Sequence, residues 1–315
     1  MDFMDCYTTS PAILMEGALG ERLKREYGIC SDETLGLAGL VYDHVGRTAL
    51  ASIWNEYIGI ADEYQMPLFV TTPTRRANRD RISMSAYDGS IISDNVRMLQ
   101  GIRQSSGKRD IYTGGLMGCK GDAYSDQNAL AKEAAYQFHS WQANLFKDAG
   151  ADFLMAGIMP ALSEAVGMAK AMEETGLSYI ISFMIRRNGK LIDGTTIHDA
   201  IWQIDNSVSR KPVCYMSNCV HPKVLYEALS YDCNRSSLVK ERFCGIQPNT
   251  SSLSPEELDG STELVSSGAD ELAEAVLKLR DFIHLKIVGG CCGTDASHIR
   301  AIAREIRAAG EAHRQ

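Results

Sequence analysis

Two short segments concentrate sulfur: Ser217-Asn218-Cys219-Val220-His221-Pro222 and Gly289-Gly290-Cys291-Cys292-Gly293-Thr294. Neighbouring side chains of an extended strand point to opposite faces, so an adjacent cysteine pair does not ordinarily grip one ion. Glycines at 289, 290 and 293 lift that restriction, because residues without Cβ admit a sharp bend that turns both sulfurs one way. Three thiolates from Cys219, Cys291 and Cys292 suit Zn²⁺ and leave a fourth position open, as in catalytic rather than structural zinc sites. A substrate thiol entering that position is held as thiolate near neutral pH, since the ion's charge favours the deprotonated form. The competing reading makes all three cysteines small buried apolar residues or incidental thiols.

Other reactive side chains point less clearly to chemistry. Arg75 and Arg76 stand where a substrate would lie, and a guanidinium binds carboxylate, phosphate or sulfonate through two parallel hydrogen bonds. They also read as an exposed pair in a solvated cluster with Arg79 and Asp80. Cys119, in Gly118-Cys119-Lys120-Gly121, reads as incidental, with a second reactive thiol at the active rim as the alternative, and Cys6, Cys30, Cys214, Cys233 and Cys244 have no partner motif. His221 reads as a surface group, with support of the metal ligands or an acid/base role as the alternatives. No His-x-His pair occurs, so the usual histidine metal site of barrel hydrolases lacks its signature. Lys286 falls at the start of a strand, which argues against a Schiff-base lysine.

Something must hold these groups together. Short β-type runs alternate with amphipathic helical stretches along nearly the whole chain. The strands expected are Ala12–Gly17, Leu68–Thr72, Ile111–Leu116, Phe153–Gly157, Tyr179–Ile185, Val213–Asn218, Phe243–Gln247 and Leu285–Gly289. The helices expected include Val45–Tyr64, Ser90–Ser105, Gln127–Ala149, Leu162–Thr175, Thr196–Val208, Pro222–Tyr231, Ala269–Arg280 and Ala296–Ala308. In Gln127–Ala149, Ala131, Ala135, Phe138, Gln142 and Leu145 fall near one face, with Ser125 as cap and Gly150 as stop. Eight such units predict an α/β fold, a (β/α)₈ TIM barrel, over residues 1–315 as a single domain. Active sites of such barrels lie at the carboxyl ends of the strands, where both cysteine segments fall. Asn249–Ser267 reads as a long connection reaching that face.

Composition narrows the setting. Lys+Arg 32 against Asp+Glu 40 gives a net charge of −8 without long charged blocks, which argues against nucleic acid or an anionic membrane as main partner. No stretch approaches the roughly 18 apolar residues of a membrane span, and the first residues are acidic where a secretory signal is basic. A cytoplasmic enzyme is expected. Nine cysteines, an odd number, argue against a disulfide framework.

The glycine-flanked cysteine pair, Asn218-Cys219 followed by Pro222, Pro248-Asn249, and Glu16-Gly17-Ala18-Leu19-Gly20 together resemble the homocysteine S-methyltransferase family, over essentially the full chain. The resemblance implies the same barrel, Zn²⁺ held by Cys219, Cys291 and Cys292, and methyl transfer to a thiol, by default homocysteine to methionine. It also implies that Glu16, Gly17 and Asn218 lie close to the substrate. The departures fall on substrate motifs. The family's Asp-Gly-Ala-Met-Gly-Thr has Glu16 and Glu21 at its ends here, and its Thr-Asn-Thr-Phe reads Thr72-Pro73-Thr74-Arg75. Its Glu-Thr-Ile-Pro, whose glutamate helps hold the amino group of homocysteine, reads Gly157-Ile158-Met159-Pro160. The metal motif is intact and amino-acid recognition is altered.

The expected reaction is attack of the zinc-activated thiol sulfur on an electrophilic methyl group, with no general base required. The 315 residues leave no length for folate- or cobalamin-binding modules, so the donor is a free methylsulfonium or betaine-type molecule, or a separate methyl-corrinoid protein. Arg75 or Arg76 is expected against an anionic part of donor or acceptor, with Arg75 named among the substrate-binding residues. A non-catalytic zinc- or thiol-binding subunit and an unrelated barrel lyase remain as alternatives, and homo-oligomerisation is open.

Overall fold

Eight short strands pair in parallel, each with its sequence neighbour, and β1 (Ile13–Met15) pairs with both β2 (Leu68–Thr71) and β8 (Ile287–Val288), closing the barrel. The other staves are β3 (Ile111–Gly118), β4 (Phe153–Met159), β5 (Ser178–Phe183), β6 (Cys214–Asn218) and β7 (Phe243–Gln247). The computed structural model describes residues 2–251 and 267–312. This is the (β/α)₈ barrel expected from the alternation of runs, with strand ends moved by one or two residues. β1 and β8 stop early, at Met15 and Val288, where the chain leaves the ladder to build the rim.

Burial on both faces explains the continuous apolar runs. Along β1, Ile13 and Met15 join an inner cluster with Phe69, Phe153, Met155, Ile180, Met216 and Ile287, whereas Leu14 joins an outer cluster with Leu68 and Val70. Leu50, Ile53 and Trp54 of the helix His44–Glu63 cover that outer cluster. The helix Phe3–Thr9, which periodicity did not suggest, plugs the amino-terminal mouth. Its Phe3 ring stacks on Phe153 at 4.8 Å and packs on Phe69 at 4.8 Å. Short helices Gly20–Tyr27, Arg79–Ser83 and Ser237–Arg242 were also not expected.

Gln127–Ala149 needs correction. The helix is Lys132–Asp148, and Ser125 makes a turn instead of a cap, its hydroxyl accepting from the Gln127 amide at 3.3 Å. Its buried face carries Ala135, His139, Gln142, Ala143 and Phe146, so the face drawn through Ala131, Phe138 and Leu145 was rotated. Gly150 does follow the helix end, in the left-handed region at φ 79°. Of the connection Asn249–Ser267, residues 252–266 lie outside the described residues.

One strand is irregular where it meets the site. The β4–β5 register shifts between Ala156 and Met159, and Ile158 lies at φ 55°. A β-branched residue there is a true outlier costing about 1–3 kcal/mol, a kind of strain that clusters at functional sites.

Candidate active site

The carboxyl ends of the strands surround a cavity of about 560 Å³. β1 contributes Glu16 and Gly17, β2 Thr71, Thr72 and Arg75, and β4 Gly157 and Ile158. The opposite rim brings Asn218 and Cys219 after β6, Gln247 of β7, and Gly290, Cys291 and Cys292 after β8. All the residues anticipated for metal and substrate thus line one space.

Backbone bonds fix the cysteines. The amide of Cys219 donates to Gln247 O at 3.0 Å, that of Cys291 to Pro248 O at 2.7 Å, and the carbonyl of Cys292 accepts from Thr250 N at 3.1 Å. Thr294 locks the turn, its hydroxyl donating to Cys291 O at 2.6 Å and accepting from Ala18 N at 3.1 Å. Gly290 is required by this packing, because a Cβ there would overlap the Thr294 side chain and come 3.1 Å from Gly17 Cα. Gly293 takes the left-handed φ of 80°, and Glu21, a departure from the family motif, accepts its amide. Of the glycines expected to free the chain by unusual dihedrals, Gly293 does so, whereas Gly289 and Gly290 serve close packing against β1, its rim and Thr294.

The three sulfurs lie within 4.8 Å of one another. Cys219 and Cys291 are joined as a disulfide, and Cys292 Sγ is 3.9 Å from Cys219 Sγ and 4.0 Å from Cys291 Sγ. This one pair lies within the sulfur triad and builds no disulfide framework; among the described residues Cys6, Cys30, Cys119, Cys214, Cys233, Cys244 and Cys292 are free. Ligands at about 2.3 Å from a tetrahedral ion stand about 3.8 Å apart, so the reduced triad fits one zinc. Among the described residues it is the group of three or more metal-ligating side chains that the fold brings together.

Two residues that line the cavity carry a buried side-chain oxygen without a partner. Glu16, only 3% exposed, accepts from Thr71 N at 2.9 Å and Thr71 Oγ1 at 2.5 Å through Oε1, leaving Oε2 buried and unbonded. Burial pushes its carboxyl up to about 7, against the lowering influence of the Thr71 bonds. Asn218 donates through Nδ2 to Gln247 Oε1, leaving Oδ1 buried and unbonded. Gly17 has a packing reason for its identity: a Cβ would come 2.5 Å from the Tyr57 hydroxyl.

The two arginines part company. Arg76 donates to Glu33 O at 2.8 Å and, with Arg81, pins the segment carrying Leu35 and Leu37 beside the cavity. Arg75 has no hydrogen bond or ion pair among the described residues. The imagined solvated cluster is not formed, because Asp80 pairs with Lys120 at 3.2 Å. His221 is likewise corrected from surface group to buried helix cap, accepting from Lys223 N at 3.2 Å. Burial holds its imidazole down to about 4. Cys119 sits at the rim but points away, donating to Gly121 O at 3.6 Å, and Lys286 lies at the amino-terminal face, reaching Thr8 O at 3.4 Å.

Sequence reasoning missed Glu164 and Tyr124. Glu164 is fully buried in the first turn of Leu162–Glu174 and accepts from Lys120 N at 2.6 Å, His139 Nε2 at 2.9 Å and Leu130 N at 3.3 Å. It ties both stems of the β3 connection, whose Tyr124 lines the cavity. An acid at the start of a helix is ordinarily a solvated favourable charge, so no signal marked this one.

The sequence profile of the homocysteine S-methyltransferase family matches residues 13–306. The homocysteine S-methyltransferase YbgG of Bacillus subtilis (strain 168) is 27% identical over 194 residues, an alignment covering 59% of this chain and 57% of that protein. Among solved structures, the homocysteine methyltransferase MmuM of Escherichia coli superposes in its metallated form with a TM-score of 0.75 and 19% identity, covering 95% of this chain and 97% of that one. Its oxidised form gives a TM-score of 0.76 at 18% identity, covering 96% and 98%. The profile spans nearly the whole barrel, both cysteine segments included: the chain belongs to the homocysteine S-methyltransferase family.

Proposed function

We propose that the protein is a zinc-dependent S-methyltransferase acting on a small thiol, with homocysteine as the reference acceptor. One observation carries this reading: three sulfurs from two strand ends stand within 4.8 Å of one another on the wall of the cavity. Cys219, Cys291 and Cys292, when reduced, would hold Zn²⁺. When bound, the ion supplies the positive charge that favours a thiolate over a thiol near neutral pH.

The chain's own residues then position the acceptor. The free oxygens of Glu16 and Asn218 offer acceptors to a donor group such as an ammonium, in place of the carboxylate that Gly157 lacks. Leu116 and Ile158 give the cavity an apolar wall for the aliphatic part of the acceptor. In the reaction a new S–C bond forms to the methyl carbon, the bond from that carbon to the donor heteroatom breaks, and the donor leaves with its electron pair. The thiol proton passes to solvent, so no side chain is required as base. The donor is a methylsulfonium or betaine-type molecule, or a corrinoid protein that docks at the cavity mouth.

The test is methyl transfer to homocysteine by reduced, zinc-loaded protein across these donor classes. Turnover that disappears in Cys291→Ala supports the reading. No transfer with any donor, by protein shown to carry zinc, contradicts it.

A further inference from the structure

We propose that Arg75 is the anion-binding residue of the acceptor site, and that the preferred acceptor is a short thiol bearing a carboxylate or sulfonate. The inference rests on the transferase reading for the identity of the ligand, but on independent observations for the site. Arg75 is half-buried, lines the cavity, and has no hydrogen bond or ion pair among the described residues. A half-buried guanidinium without an anion is unfavourable, and proteins ordinarily pair it. The backbone directs it there. Gly118, at the end of β3, leaves the groove through which the arginine stem runs; a Cβ at that position would lie 2.8 Å from Arg75 Cγ and 2.7 Å from Arg75 O. The arginine lines the same cavity as Cys219, Cys291 and Cys292, so an anion bound by it shares that space with the sulfur cluster.

The protein's own acids do not fill the role. Glu21 is engaged with the Gly293 amide, Glu16 with Thr71, and position 157 is glycine. Arg76, its neighbour, is committed to Glu33 O at 2.8 Å.

The test is calorimetric titration of the reduced, zinc-loaded full chain with 3-mercaptopropionate and with its uncharged counterpart 3-mercapto-1-propanol, for wild type, Arg75→Lys and Arg75→Ala. Wild type is expected to favour the carboxylate about ten- to one-hundred-fold, as charge-assisted bidentate hydrogen bonds do. Arg75→Ala should bring the ratio close to one, and Arg75→Lys should fall between, because an ammonium keeps the charge and loses the planar fork. A wild-type ratio near one, or a ratio that survives Arg75→Ala, overturns the proposal. So does loss of zinc in Arg75→Ala with the ratio intact, which would make the arginine a partner of the cysteines. A raised Michaelis constant for S-methylmethionine with thiol affinities unchanged would place the anion on the donor and overturn it equally. Methyl transfer is read separately: its absence with the ratio present removes the transferase reading and leaves the anion site standing.

Discussion

The Glu164 carboxylate and the His139 imidazole meet at 2.9 Å with neither side chain exposed, and the same carboxylate receives the amides at both stems of the connection bearing Tyr124. The pair lies outside the cavity yet fixes one of its walls. Removing the Glu164 side chain leaves the His139 nitrogen and two backbone amides without their partner, and each buried group left unsatisfied costs about 1–3 kcal/mol. Glu164→Ala should therefore lower unfolding stability by at least one such increment in urea denaturation. Glu164→Gln, which keeps one carbonyl acceptor, should lose less. Equal stability of Glu164→Ala and wild type would show that the clamp contributes nothing.

Glu16 predicts a pH dependence. Its folded-state carboxyl is raised from 4.5 to about 7, so folded protein keeps a proton that unfolded chain releases. The contribution is fully present below about pH 4.5 and is lost as pH rises through about 7. Glu16→Gln does not ionise and escapes that loss. Between pH 5 and pH 8 the stability difference should move in favour of the variant, by up to about 3 kcal/mol. Parallel pH profiles for the two proteins, measured by urea denaturation in reducing buffer, would remove Glu16 as the titrating group.

Gly157 tests how the ammonium is held. A Cβ there meets Leu116 Cδ1 at 2.9 Å, the far end of a side chain that can rotate, so Gly157→Glu should fold. The restored carboxylate adds a charge-assisted bond of about 1.5–3 kcal/mol, or roughly ten- to one-hundred-fold in homocysteine affinity. Unchanged affinity in a folded variant would indicate that Glu16 and Asn218 already satisfy the amino group.

The barrel was legible because parallel strands buried on both faces read as bounded apolar runs, and the gathering of Cys219, Cys291 and Cys292 because both cysteine segments follow strand ends. What stayed hidden depended on long-range partners. No periodicity marked the helix of Phe3, whose ring is held by the inner aromatic cluster with Phe69 and Phe153. Arg75 and Arg76 are chemically identical and adjacent, and only Glu33 O and the groove at Gly118 separate their roles. The helix around Gln142 was rotated because His139, polar by type, is buried by its bond to Glu164.

The central claim is that Cys219, Cys291 and Cys292 hold one metal ion in the reduced protein. Zinc content by mass spectrometry, on protein purified under reducing conditions, tests it most directly. The account predicts about one zinc per chain in wild type and none retained in Cys291→Ala, with circular dichroism of the variant unchanged because the barrel core is built without the metal. Wild-type protein without stoichiometric zinc after reconstitution, or Cys291→Ala that binds it as tightly as wild type, would contradict the account.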